Sequence, residues 1–369
     1  MKLIIIILTY LSLYCFGYTK SLFIRNKRFI VRGLPLNYSM PITFSIARNL
    51  NSTPIIQAIN AVRRNTCITF SRVSTGPSQI RFVSGRRCSS FIGRISTGRA
   101  NVVTMAPKCL TRGAVQHFLG HALGLFSEET RPDRDSFVTI QQSNVRPNFI
   151  AVFDKNIDGN AIITNVHYDY GSVMHNAVGF LTRNKQPTMT LVYPRFAPVV
   201  GQRAGFSFND YKILNAFYCS NRCTNTINCQ NNGYQDPNNC NQCKCPSFHT
   251  GNQCQNIKPS QNGCGTQNFN VNQTVGRLRV SGAKRCYYQF TTTPGSQIQL
   301  NIVAARLPGG RCWRNKGIEV RIFLDKSVSG ARFCGKVGRR SLRSFNNTIL
   351  LQYVGRKTNH MMRINFRRV

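Results

Sequence analysis

The stretch HFLGHALGLFSEETRPDRD, residues 117–135, sets two histidines four apart, then a glycine, then a run of charges. Residues at i and i+4 share one helix face, so His117 and His121 can turn toward one metal ion. Gly124 can end such a helix in a left-handed turn and swing the chain back toward that ion. An HxxxH pair on its own is a weak sign, since chance and helix-surface pairs produce the same spacing. The residue after the first histidine is Phe118, where a zinc hydrolase needs a carboxylate.

Other segments stand in a consistent order around this pair. They are MPITFSI (40–46), TCITF (66–70), CSSFIGR (88–94), YDYGSVMHN (168–176) and VGQRAGFSFNDYKILNAFYC (200–219). With HALGLFSEETRPDRD they resemble the astacin family of zinc endopeptidases, over about residues 29–219. That family reads HExxHxxGxxHE, then a segment like RPDRD, then a methionine turn of the form SxMHY. The resemblance implies an astacin-like (metzincin) protease domain with zinc as cofactor, His117 and His121 as ligands, and Met174 in the methionine turn. It also implies the disulfides Cys67–Cys219 and Cys88–Cys109.

Three positions depart from the family pattern. The glutamate that takes a proton from the attacking water and passes it to the leaving amine is Phe118 here. The third histidine ligand maps to Ser127, a poor ligand while its hydroxyl stays protonated. The tyrosine that follows Met-His maps to Asn176. A stable protein zinc site uses three or four protein ligands, and only two align. Loss of a general base alone costs on the order of 10² to 10⁴ in rate. No catalytic set is intact on this count. Glu128 and Glu129 are the nearby carboxylates that could substitute, but the family uses the glutamate at 128 to hold its mature N-terminus.

The charge is extreme: 49 Lys+Arg against 11 Asp+Glu, a formal net charge of +38. Such an excess attracts polyanions, although general surface basicity without a dedicated partner accounts for it equally. Four of the eleven acids fall between Glu128 and Asp135, which predicts internal salt bridges there. Lys2 followed by LIIIILTYLSLYCFG (3–17) reads as a secretory signal peptide, 1–17, cleaved after Gly17. No later stretch is long enough for a transmembrane segment. RNKR (25–28) reads as a processing site closing a short propeptide-like segment, 18–28, though basic clusters are common in so basic a chain. Sequons at Asn37, Asn51, Asn272 and Asn346 fit a secreted glycoprotein. An extracellular chain of this charge is expected to meet a sulfated glycosaminoglycan or other anionic matrix rather than nucleic acid.

Cysteine spacing divides the chain. Cys15 leaves with the signal, and the fourteen that remain suit an oxidising compartment. Cys67, Cys88, Cys109 and Cys219 are widely spaced. Cys223, Cys229, Cys240, Cys243, Cys245 and Cys254 crowd an Asn-rich stretch too small to bury much core. That stretch resembles an EGF-like module, 220–255, whose pattern implies Cys223–Cys240, Cys229–Cys243 and Cys245–Cys254. CNQCKC (240–245) leaves a structural zinc cluster as the alternative. IKPSQNG (257–263) is a linker by composition.

Helical spacing marks residues 52–66 and 111–126, with Thr111 a candidate N-cap, and strand patterns mark 41–46 and 80–83. After the linker the pattern changes to short alternating runs at 274–282, 296–307, 317–324 and 347–355, which predict a β-sandwich. Residues 264–369 resemble a CUB domain, with implied bridges Cys264–Cys286 and Cys312–Cys334. This region has 20 Lys and Arg against Glu319 and Asp325 alone. An acidic calcium site is therefore not expected, whereas Arg-rich clusters such as GKVGRRSLRS (335–344) suit bidentate contact with sulfates.

The expected protein is a multidomain α+β chain: an astacin-like protease domain (29–219), a small disulfide-rich EGF-like module and a CUB β-sandwich. Its expected role is that of an astacin homologue without catalysis, binding an extracellular protein or peptide in the old cleft, an anionic glycan, or both. The alternative is a weakly active zinc-dependent endopeptidase that cleaves extracellular proteins.

Overall fold

The computed structural model describes residues 28–31, 38–156, 161–164 and 166–369. The signal-peptide expectation for 1–17, the 18–28 segment apart from Arg28, and the sequon at Asn37 lie outside the described residues. Among the described residues no helix is long and apolar enough to cross a membrane.

A short strand, β1 (Arg28–Val31), comes first. The main sheet of the N-terminal unit contains β2 (Ile42–Ile46), β3 (Phe70–Arg72), β4 (Ile80–Ser84) and β5 (Asn101–Met105), in the order β3-β2-β4-β5. All three pairings are parallel. Parallel neighbours need crossovers, and α1 (Thr53–Asn65) supplies the first of them. Pro54 opens α1, where its missing N–H costs nothing, and Ile55, Ile59 and Val62 form its buried stripe. The second helix, α2 (Arg112–Ala122), starts at Thr111, whose hydroxyl accepts from the Ala114 N–H at 3.3 Å. Both helices contribute to one core with Phe44, Phe82, Val103 and Met105.

Beyond α2 the chain runs through short turns held by charge. Arg131 clasps Asp133 at 2.5 Å, and Asp135 takes both Arg134 at 2.5 Å and Lys155 at 2.6 Å. Arg131 with Asp133 is a buried bridge of the kind the acidic cluster predicts, whereas the pairs of Asp135 lie at the surface. Two small antiparallel ribbons follow: β6 (Val138–Ile140) with β8 (Met189–Leu191), and β1 with β7 (Ala161–Thr164). The unit closes with α3 (Phe208–Tyr218), capped by a reciprocal Ser207–Asp210 box. Cys219, just after α3, is bonded to Cys67, just after α1.

The other disulfides are Cys88–Cys109, Cys223–Cys240, Cys229–Cys243, Cys245–Cys254, Cys264–Cys286 and Cys312–Cys334. The pairs coincide with those the family patterns imply. Residues 264–369 form two five-stranded sheets. One runs Asn268–Asn270, Arg285–Thr291, Thr348–Val354, Gly317–Arg321, Ala331–Phe333. The other centres on Ile298–Arg306 and Met361–Arg368, and inward residues such as Ile298, Leu300 and Ile302 alternate with half-buried ones.

These parts join more tightly than composition suggests. The stretch 257–263, a linker by composition, is docked: Ser260 and Tyr287 exchange hydrogen bonds, and the Gln261 N–H donates to the Arg285 carbonyl at 3.1 Å. The sandwich core continues without a break into the N-terminal unit through Tyr168, Tyr170 and Phe196. Phe323 stacks on Phe196 at 4.9 Å and meets Tyr193 edge-on at 5.4 Å. Polar contacts seal the joint: His167 to Asp325 at 3.0 Å, and the Ser329 N–H to Asp169 Oδ1 at 3.0 Å.

Gly171 sits in this joint, where a Cβ would stand 2.4 Å from Ser329 Oγ and 2.5 Å from Ser329 Cβ. Gly171→Ala should therefore destabilise the protein by about 1–3 kcal/mol, the usual range for overpacking. Guanidinium unfolding of the single variant and of Gly171→Ala with Ser329→Gly checks this. The second change should restore most of the loss.

Candidate active site

Helix α2 carries His117 and His121 on one face, with ring centroids 4.6 Å apart and planes nearly perpendicular. The helix ends as its sequence predicts. Gly124 has φ +97°, its N–H bonds the His121 carbonyl, and the Leu125 N–H bonds the Gly120 carbonyl, both at 2.8 Å. That turn aims the Leu125 carbonyl at His121 Nδ1, 2.8 Å away, while the Val173 carbonyl takes His117 Nδ1 at 2.9 Å. A carbonyl only accepts, so each Nδ1 must carry the proton and each Nε2 keeps its lone pair. Carbonyl partners of this kind orient metal-binding imidazoles. Burial, the Arg203 guanidinium and the neighbouring His121 hold the His117 pKa well below its usual value. Burial lowers His121 to about 4, with Arg203 adding to it against opposing contributions from the Leu125 carbonyl and Glu129. Both rings are neutral at pH 7.

The methionine turn lies beside this helix and is firmly held. Asp210 of α3 accepts from Ser172 Oγ at 2.6 Å and from the Val173 N–H at 3.0 Å, and Ser172 Oγ accepts from the Met174 N–H at 3.0 Å. Met174 is buried in the same core as α2. His175 is buried as well; its Nδ1 donates to the Asn176 carbonyl at 2.8 Å, and its Nε2 accepts from Tyr168 at 2.7 Å.

The three departing positions behave differently. Phe118 is half-buried on the wall of the cleft, its ring edge-on to His117 at 4.9 Å. It offers neither a proton acceptor nor a ligand. Ser127 also lines the cleft. Asn176 is buried and serves as a link. Its Nδ2 donates to Glu129 Oε1 at 2.6 Å, and its Oδ1 accepts from Arg203 at 3.2 Å. A neutral amide thus joins a buried carboxylate to a guanidinium. Glu129 is committed further, accepting the Asn176 N–H at 3.1 Å, and Glu128 accepts the Asp169 N–H at 2.7 Å. Neither acid points to a role as a replacement base.

Arg203 is the residue that sequence reasoning missed, although it stands in the quoted segment VGQRAGF. It donates to the carbonyls of Val173, His175 and Gln202, each at 3.0 Å. Its charge is felt at His117, His121 and His175. Among the described residues no group of three or more His, Cys, Asp or Glu side chains could hold a metal ion. Two preset imidazoles, a serine and a nearby guanidinium do not fit zinc, which takes three or four protein ligands and is repelled by a fixed cation. What remains is an open cleft of about 1020 Å³, with Phe118, Phe126, Phe149, Val152, Phe180 and Leu181 among its lining. Asn51 and Asn272 are exposed, and Asn346 is half-buried.

A family profile, that of the astacin peptidases, matches residues 36–219. The chain is 32% identical over 339 residues to the zinc metalloproteinase nas-34 of Caenorhabditis elegans, covering 90% of this chain and 56% of that one. It is 34% identical over 284 residues to the zinc metalloproteinase dpy-31 of Teladorsagia circumcincta, covering 73% and 46%. Among solved structures it is similar to High choriolytic enzyme 1, a hatching enzyme zinc-protease from Oryzias latipes. There the identity is 30%, the TM-score 0.43, and the coverage 49% of this chain and 92% of that one. The chain spans about half the length of the curated relatives it matches.

Proposed function

Since the chain belongs to the astacin family of zinc metalloproteinases through residues 36–219, we propose that it is a member without peptidase activity that acts by binding. The observation that carries this reading is Phe118, an aromatic ring in the general-base position, on the wall of a cleft that lacks a third ligand among the described residues. The cleft that remains is open and rich in apolar side chains, which suits a segment of an extracellular polypeptide. The flanking parts are read as an EGF-like module at 220–255 and a CUB domain at 264–369, and the N-terminal residues 1–17 as a secretion signal. The strong positive charge of the CUB region supports an anionic matrix as a second partner.

One observation favours the rival reading, a weak zinc endopeptidase. His117 and His121 are still oriented through Nδ1 as ligands are, so an ion with a further donor from substrate or solvent would find two imidazoles waiting. Zinc content of the purified protein after dialysis against metal-free buffer separates the two. Less than about one tenth of an equivalent is expected, together with no chelator-sensitive cleavage of casein or of a peptide library. Stoichiometric zinc with cleavage that a chelator abolishes would overturn the proposal.

A further inference from the structure

A second cleft lies away from the histidines, at the joint between the N-terminal unit and the sandwich, with a volume of about 740 Å³. Residues 194–202 form one wall and residues 310–313 and 332–340 the other. Trp313, the chain's single tryptophan, is half-buried there, with the Arg311 guanidinium carbon 5.8 Å from its ring centre. Arg195, Arg311, Lys336 and Arg340 line the same cleft, and all four are exposed. No acid among the described residues lines it, and among the described residues none of these four forms a salt bridge. Like charges gathered without counter-charges cost free energy that a bound anion would relieve.

We propose that this joint cleft is a binding site for a sulfated oligosaccharide. Trp313 supplies a flat apolar face for the C–H face of a sugar ring, and Pro198 on the opposite wall is exposed to meet its other side. Arg195, Arg311 and Arg340 offer forked donors that match the oxygens of a sulfate, and Lys336 adds a point charge. Nucleic acid fits less well, because single strands are held by successive aromatic platforms and this cleft exposes one. The site draws cations from both units, so it exists only while they are docked. The inference rests on the anionic-matrix reading above and gives it a place.

The single tryptophan makes the test direct. The full secreted chain is titrated with a heparin-derived hexasaccharide while tryptophan emission is followed, and binding is measured in parallel by calorimetry. A saturable emission change is expected, matching the calorimetric curve, and no response to an unsulfated hexasaccharide of the same backbone. Arg311→Ala with Arg340→Ala should weaken binding by about tenfold or more, as the loss of two charge-assisted contacts requires. If the sugar binds by calorimetry with emission unmoved and the double variant unaffected, the cleft assignment is wrong while the matrix reading survives elsewhere on the surface. If no sulfated sugar binds at all, both fail. Tighter binding of a single-stranded oligonucleotide, with the same emission change, would overturn the choice of ligand.

Discussion

Ser127→His should give the protein a third imidazole donor, and adding Phe118→Glu should then raise peptidase activity by about 10² to 10⁴ over Ser127→His alone. The scaffold needed for this is already in place. Helix α2 is fixed at both ends by Thr111 and by the Gly124 turn, and the rings of His117 and His121 are aimed by the Val173 and Leu125 carbonyls. Phe118 and Ser127 both line the cleft and are half-buried, so neither change inserts a charge into sealed core. Asn176 is best left alone, because it joins Glu129 to Arg203 and a larger ring there would break both contacts. The measurement is zinc per chain after dialysis, followed by initial rates on a fluorogenic peptide with and without chelator. Zinc uptake without any gain in rate from the glutamate would show that the cleft no longer positions a peptide, and the view of an intact scaffold would fall.

Glu319→Gln should cost about 3–5 kcal/mol, the range for removing one partner from a buried ionic cluster. The carboxylate is buried between two arginines: Oε2 accepts from Arg332 at 2.9 Å, and Oε1 accepts from Arg321 at 3.1 Å and from the Gly330 N–H at 3.2 Å. Arg321 reaches on to Ser247 at 2.6 Å and lies 4.5 Å over the Phe248 ring, so the cluster also holds the small disulfide-rich part against the sandwich. Burial alone would raise the Glu319 pKa, but Arg332 and Arg321 outweigh it and bring it down from 4.5 to about 2. A carboxylate depressed on folding stabilises the native state above its unfolded pKa. That contribution, on the order of 3 kcal/mol, is lost as the pH falls from about 4.5 toward 2. Guanidinium unfolding followed through Trp313 at about pH 7 and about pH 3 checks both statements. The gap between wild type and variant should be wide at neutral pH and narrower in acid. An equal gap at both would show that the charge on Glu319 is not what the arginines need.

Much of the architecture could be read from local signals, because local chemistry fixes it. Thr111 and Gly124 bracket α2, Pro54 opens α1, and the alternation along 296–307 gives a sheet with one inward face. The acids between Glu128 and Asp135 find arginines and a lysine within reach. What could not be read depends on contacts between residues far apart in sequence. Nothing near Asn176 announces that its amide will span Glu129 and Arg203, since that link needs the turn, α2 and the segment before α3 all in place. The docked run 257–263 reads as a linker because its composition is polar, and its partners, Tyr287 and Arg285, come from a strand with its own pattern. The joint cleft is hidden for the same reason, its two walls coming from segments more than a hundred residues apart along the chain.

The turn at 169–176 has two faces with unequal freedom. One face looks into the cleft, where Asn176 stands in the place of a catalytic ring and fills a neutral bridging role. The other looks away from it, where Asp169 and Gly171 fit against Ser329 of the sandwich. Substitutions on the first face are felt in the cleft wall and in the Glu129–Asn176–Arg203 link. Those on the second risk the joint that carries the rest of the molecule. The methionine turn therefore does two things at once, shaping one wall of the cleft and pinning the sandwich to the N-terminal unit, so its sequence is held by assembly of the molecule whatever the cleft does.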